Sequence, residues 1–245
     1  MKICIAQTKP VKGDIDYNVE VHKSLINIAI LQGADTIVFP ELSITGYEPT
    51  LADALATTPD DSRFEVFQTL SDTHQITIGI GIPTRDLTGL HISMVLYQPH
   101  APWQVYSKKY LHADEDPFFM SGYNTLEVIR NAPQAALSIC YELSVSEHAQ
   151  NASTLGANLY VSSVAKTAKG VATAIERLAE IARTYAMDVV MSNCIGLCDG
   201  AECGGRSSVW NKQGILLGQL DDIHEGILVF DTDTQEVVVQ LLETA

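Results

Sequence analysis

The stretch LSICYEL, residues 137–143, runs through strand-forming side chains to Cys140 and then turns polar at Tyr141 and Glu142. The next two segments of the chain decide how it is read. VSEHAQNASTLGA has the spacing of a helix and stops at Gly156, and NLYVSSVA, residues 158–165, is again a strand. Strand, helix and strand in succession are the repeating unit of an α/β fold. Cys140 then lies at a strand end, where open α/β sheets place their sites. A cysteine there is either a buried filler or a nucleophile facing a loop.

The same alternation extends outward. KICIAQT, residues 2–8, is an apolar strand. The segment after it carries apolar residues at helical spacing from Val21 to Leu31 and closes at Gly33. DTIVFPE is a strand stopped by Pro40, and DDSRFEVFQTLSDTHQ sets Phe64, Phe67 and Leu70 on one helical face. ITIGIGIP, HISMVLYQP and QVYSKKY read as strands, the last two as an antiparallel pair turning around Pro99 and Pro102. TLEVIR, residues 125–130, and AALSIC continue the sheet. GVATAIERLAEIARTYAM is the longest expected helix, and DVVMSNC, SSVWN, GILLGQL, GILVFD and EVVVQLL are late strands. Neither a linker-like composition nor a repeat interrupts the pattern. Residues 1–245 therefore read as a single α/β domain of two sheets with helices on the outer faces.

Composition narrows the function classes. The chain has 245 residues, 46% hydrophobic, enough for a substantial core. A net charge of −15 repels phosphate backbones and anionic lipid, so nucleic-acid and membrane partners are not expected. Apolar runs fall short of the roughly 18 residues a membrane span needs, and MKICIAQT is too short to be a signal peptide. The five cysteines, an odd number, read as reduced thiols in a cytoplasmic protein.

Three strand ends carry candidate chemistry. Glu41 follows Pro40 where a buried strand opens into a loop, and desolvation there raises a carboxylate pKa toward proton transfer. Of the neighbours Lys108 and Lys109, one points inward, and a buried ammonium needs an acid; Glu115 is near, with Asp114 and Asp116 as rivals. At Cys140, the backbone N–H groups just beyond it can stabilise a thiolate or an oxyanion.

Taken together and in order, FPELSITGY, YSKKYL...E..FF..G and ICYE....E resemble the three signature blocks of the nitrilase (carbon-nitrogen hydrolase) superfamily. LGANLYVSS, VVMSNCIG and GGRSSVWNKQGILL resemble its framework, so the similarity spans nearly the whole chain. The resemblance implies a four-layer αββα sandwich that pairs as a homodimer or higher homo-oligomer. It puts the family's glutamate on Glu41 and its cysteine on Cys140. Its lysine, followed by a leucine three residues on, falls on Lys108 with Leu111; its second glutamate falls on Glu115, with Phe118, Phe119 and Gly122 in place.

The implied reaction hydrolyses a non-peptide C–N bond in a small amide. Glu41 takes the thiol proton as Cys140 attacks, Lys108 and the Tyr141 N–H hold the oxyanion, and a thioester forms and is hydrolysed. Glu115 orients Lys108 or the substrate. No metal or organic cofactor is called for. Tyr47, Glu142 and Lys166 are the expected substrate contacts, with Arg206 a further cation.

The chain departs from the family in places. Ser146, Glu147 and Gln150 stand where many relatives have P-E-x-x-R, and Tyr141 stands where nitrilases have tryptophan, which favours amides over nitriles. Ureido-acid hydrolysis, nitrile hydrolysis and a non-catalytic binding role are the alternatives. CIGLCDGAEC holds Cys194, Cys198 and Cys203, but the spacing is not a paired C-x-x-C and a fourth ligand would be remote, with His224 the candidate. It reads as one strand cysteine and two in a Gly-rich loop rather than a metal site.

Overall fold

The computed structural model describes residues 1–58, 60–123 and 134–242. In chain order the elements are β1 (Lys2–Gln7), α1 (Ile15–Leu31), β2 (Thr36–Val38), α2 (Ala52–Leu55), α3 (Glu65–His74), β3 (Thr77–Asp86), β4 (Gly89–Tyr97) and β5 (Gln104–Ser107). Then come β6 (Ala135–Ile139), α4 (Ser146–Thr154), β7 (Leu159–Ser163), α5 (Ala168–Tyr185), β8 (Asp188–Ser192), β9 (Ile195–Cys198) and β10 (Ala201–Gly204). β11 (Ser208–Trp210), β12 (Leu216–Gln219), β13 (Gly226–Asp231) and β14 (Val237–Leu241) complete the chain. The strand expected at residues 125–130 lies outside the described residues.

Strand alternation builds the layers. In β1, Ile3 and Ile5 point one way and Cys4 and Ala6 the other, as a period of two requires. Ile3 and Ile5 join Val38, Met94, Leu137, Ile139, Val161 and Val190 in a core between two sheets. One sheet has the order β14-β13-β1-β2-β3-β4-β5 and the other β12-β11-β8-β7-β6. Cys4 and Ala6 instead face Leu25, Ile26 and Ala29 of α1 and Phe67 of α3. The outer face of the second sheet buries Tyr160, Met191 and Trp210 against Ala149 of α4 and Val171, Leu178 and Ile181 of α5. The result is the expected αββα sandwich.

Local chemistry sets the helix ends. Asp14 caps α1 by accepting from the Tyr17 N–H, and Thr167 caps α5 by accepting from Gly170. Gly33 and Gly156, at φ +72° and +86°, stop α1 and α4 as expected. The helix read across 60–75 is shorter: Ser62–Phe64 is a 3₁₀ turn, and α3 starts at Glu65.

Strand direction then gathers the loops. β1, β2 and β3 are parallel, β4 is antiparallel to β3, and β5 is antiparallel to β4, so β2 and β5 end at the same edge of their sheet. β6, β7 and β8 are parallel in the other sheet. Two buried serines tie the sheets along this edge: Ser163 Oγ donates to Phe39 O at 2.8 Å and Ser192 Oγ to Ala6 O at 2.6 Å. β9 and β10 form a separate hairpin, which corrects the expected Gly-rich loop. Its turn, Asp199-Gly200, has φ of +47° and +75°, the left-handed pair that a tight hairpin needs.

Candidate active site

Glu41, Lys108 and Glu115 meet inside the protein. Lys108 is fully buried, and its Nζ donates to Glu41 Oε1 and to Glu115 Oε1, each at 2.7 Å. The rivalry among acids is thus settled by geometry: Asp114 is exposed and pairs with His112. Burial alone would lower the Lys108 pKa, but the charges of Glu41, Cys140 and Glu115 outweigh it and the net push is upward. The ammonium stays charged.

Several backbone contacts hold this lysine in place. Lys108 N–H donates to Ile92 O at 2.8 Å, prolonging the pairing of β5 with β4 by one residue. Gly122 N–H donates to Lys108 O at 2.8 Å, and a Cβ on Gly122 would run into the Ser107 carbonyl, so the position demands glycine. Glu115 is tied down as well. Its Oε1 also accepts from Tyr47 Oη at 2.9 Å, and its Oε2 accepts from the His112 N–H at 2.8 Å. The Phe118 and Phe119 N–H groups close a turn onto Glu115 O, and Phe119 anchors it in the inter-sheet core.

Glu41 sits on the loop after β2, packed over Gly81 of β3, where a Cβ would overlap Pro40 O and Leu42 N. Its Oε2 is buried and has no partner in hydrogen-bond geometry among the described residues, while the Cys140 thiol lies near enough to act on the same carboxylate. Burial is the main cause that raises the Glu41 pKa, and Glu115 adds to it, against the pull of Lys108.

Cys140 opens a 3₁₀ turn, Cys140–Ser144, directly after β6. It has φ +44°, an uncommon conformation for a side-chain-bearing residue and a frequent mark of functional strain. Cys140 is half-buried as a residue, its sulphur lies inward, and the Ala165 N–H points at that sulphur. Its pKa is pushed up to about 11 by burial and then by the charge of Glu41, against Lys166 and Lys108. The resting group at neutral pH is a thiol, so attack needs a base, and the unpartnered oxygen of Glu41 is placed to be one.

The other expected residues divide. Tyr141 and Lys166 line a groove of about 560 Å³ together with His112, Lys169 and Arg177. Tyr47 spends its hydroxyl on Glu115. Glu142 is fully buried, as Lys108 is, and both its oxygens are occupied by protein donors. Its Oε1 accepts from the Lys109 N–H at 2.7 Å, and its Oε2 from the Ile139 N–H at 2.8 Å and Tyr106 Oη at 2.7 Å. It therefore ties the residue before Cys140 to the residue after Lys108.

Sequence reasoning passed over the partners of this carboxylate. Tyr106 Oη also meets His148 Nε2 at 3.0 Å, and His148 Nδ1 meets Tyr160 Oη at 2.7 Å. Because the Tyr106 proton goes to Glu142, Nε2 carries the imidazole proton and Nδ1 accepts. Tyr106 stands two residues before Lys108, on the same strand face, and that spacing was the available signal. Arg177 was also missed; it reaches from α5 to Leu143 O and Ser146 Oγ, both at 3.2 Å.

The fold and the buried acid–lysine–acid cluster beside a strand-end cysteine define a class, and sequence comparison agrees. The family described as carbon-nitrogen hydrolase matches residues 2–239, and the chain belongs to that family. Among curated relatives, a glutamine-dependent NAD(+) synthetase of Acinetobacter baylyi is 25% identical over 244 residues; the match takes in 96% of this chain and 44% of that protein's length. Among solved structures, an amidase of Nesterenkonia sp. AN1, a cysteine-to-alanine mutant in complex with butyramide, superposes with a TM-score of 0.86 at 22% identity, over 96% of this chain and 92% of that one. A glutamate mutant of the same amidase, with the acetamide moiety of fluoroacetamide added at its active-site cysteine, gives 0.85 at 22% identity, over 94% and 89%.

Proposed function

We propose that the chain hydrolyses a small primary amide through a thioester on Cys140 and releases ammonia. The observation that carries this reading is the buried Glu41–Lys108–Glu115 cluster with one Glu41 oxygen left without a partner beside the thiol. Glu41 takes the proton from Cys140 as sulphur attacks the carbonyl carbon. Lys108 and the Tyr141 N–H receive the developing negative charge on oxygen. Glu41 then returns the proton to the departing nitrogen, C–N breaks, and ammonia leaves. Water, deprotonated by Glu41, adds to the thioester carbon, C–S breaks, and Glu41 returns the proton to the Cys140 sulphur as the acid leaves. Glu115 and Tyr47 position Lys108 throughout.

The groove favours a substrate with an anionic tail. Lys166 and Lys169 border it next to Tyr141, the neighbour of Cys140, with Arg177 already paired to Glu180 at 2.8 Å, on a molecule whose net charge is −15. An ω-amide bearing a carboxylate fits that sign, and a glutamine-dependent relative is consistent with it. Self-association through a helical layer and a cytoplasmic setting belong to the same proposal.

Ammonia release from carboxylate-bearing ω-amides, uncharged amides, N-carbamoyl acids and aliphatic nitriles tests it, with Cys140→Ala as control. The expected result is turnover of the ω-amides and none by the variant. Turnover confined to nitriles or N-carbamoyl acids would overturn the substrate class, and an active Cys140→Ala would overturn the mechanism.

A further inference from the structure

The hairpin β9–β10 gathers three thiols that the reaction does not use. Register explains how. Cys203 pairs across the hairpin with Gly196, and Cys194 and Cys198 lie two residues on either side of that glycine. Residues two apart share a strand face, so all three sulphurs surround a position that has no side chain. Leu197, between them in sequence, turns outward and is 65% exposed. The three Sγ atoms lie within 4.8 Å of one another, with Cys194 and Cys198 at 3.3 Å. All three residues are buried, at 1%, 5% and 3% exposure.

We propose that Cys194, Cys198 and Cys203 form a three-thiolate site for a thiophilic d¹⁰ cation, Zn(II) or Cu(I). Sulphurs about 2.3 Å from a common ion stand up to roughly 4 Å apart, which is the spacing this triangle reaches with small side-chain rotations. Thiolate sulphur selects this class of ion over Mg(II) or Ca(II), which take oxygen donors. His224, the remote ligand considered from sequence, is not in the group; its Nδ1 is held by Asp221 at 2.7 Å. Each ligating thiol gives up its proton, so full ligation releases three protons. The complex then carries one negative charge with Zn(II) and two with Cu(I). The Tyr47 N–H points at Cys198 and offsets part of that charge. Tyr47 and Ala165 pack on the cluster, and the same two residues reach Glu115 and Cys140, so the ion would brace one wall of the active site.

The test is metal titration of the untagged, reduced full chain against a chromophoric competitor, with Zn(II) in one arm and Cu(I) under anaerobic conditions in the other. One equivalent of at least one ion is expected to bind. Affinity should fall about 100-fold or more in Cys198→Ser and Cys203→Ser and stay unchanged in Cys140→Ala. Differential alkylation read by mass spectrometry covers the case in which a serine variant does not fold: bound metal should protect these three thiols and leave Cys140 reactive. Absence of stoichiometric uptake of either ion overturns the site. So does uptake that the serine variants leave intact, or a Cys194–Cys198 disulfide in place of metal.

Discussion

Replacing Glu142 with glutamine should damage stability and Cys140 reactivity together. The carboxylate serves four donors, the N–H groups of Ile139, Lys109 and, at 3.4 Å, Tyr110, and the hydroxyl of Tyr106. Glutamine keeps one oxygen. If that oxygen stays with Ile139 and Tyr106, the new NH₂ faces the Lys109 N–H, donor against donor across 2.7 Å. One charge-assisted bond is lost, about 1.5–3 kcal/mol, and the partly buried Lys109 N–H is left bare, about 1–3 kcal/mol. Burial raises the Glu142 pKa, so removing the charge returns part of this cost. The net loss is about 3 kcal/mol, readable by urea unfolding as a lower midpoint at unchanged slope. The kinetic effect comes from position. Ile139 and Lys109 adjoin Cys140 and Lys108, so slack in this tie separates nucleophile from cation, and a shift of about 1 Å costs roughly 100-fold in rate. Iodoacetamide alkylation of Cys140 and steady-state turnover measure it. A Glu142→Gln protein with wild-type stability and wild-type turnover would refute the reasoning.

Other expectations rest on the same geometry. The competent form pairs an ionised Glu41 with a protonated Cys140, so kcat/KM should fall in acid at a pH above the ordinary carboxylate value of about 4.3. On the alkaline side the profile should hold until near the thiol's pKa of about 11; a pH–rate profile breaking near pH 8 would contradict this. Glu41→Gln should lower turnover by 100-fold or more, about 3 kcal/mol, with the fold intact by circular dichroism. Gly81→Ala forces a Cβ into the backbone at Pro40 and Leu42 and should cost about 2–4 kcal/mol in denaturant unfolding while displacing Glu41. His148 is buried, with its pKa lowered from 6.5 to about 4, chiefly by burial. Between those values the unfolded chain takes the proton and the folded chain does not, so stability should fall by roughly 3 kcal/mol as pH drops from 6.5 to 4. His148→Gln should flatten that slope in chemical unfolding measured across pH.

The alternation of strands and helices was legible because each element buries one face and so writes its period into the sequence. Ile3 and Ile5 against Cys4 and Ala6, or Val171, Ala174, Leu178 and Ile181 along α5, are the plain cases. The β9–β10 hairpin was harder, since its strands are short and Ala201 and Glu202 are exposed. Yet Asp199-Gly200 was a hairpin signal in plain view. Glu41, Lys108 and Cys140 could be named because each ends a strand and the three blocks occur in family order. That Lys108 is held by both acids at once depends on β2 and β5 finishing at one edge, which no local window contains. The setting of Glu142 was hidden for a related reason. A carboxylate two residues from a nucleophile reads as a substrate contact, and the protein donors that occupy it come from segments remote in sequence.

The serine ties between the sheets govern how the molecule fails. Glu41 and Lys108 belong to one sheet and Cys140 to the other, and Ser163 and Ser192 clasp the two along the edge where they meet. The first sheet is itself sewn from both ends of the chain, with β1 lying between β2 and β13. The reacting residues all fall between residues 41 and 140, yet the sheet that carries Glu41 and Lys108 is completed only by strands from both ends of the fold, and loosening any layer spreads the reacting groups apart. Turnover then reports on the closure of the whole sandwich, and on gradual heating activity should vanish with the global transition rather than ahead of it.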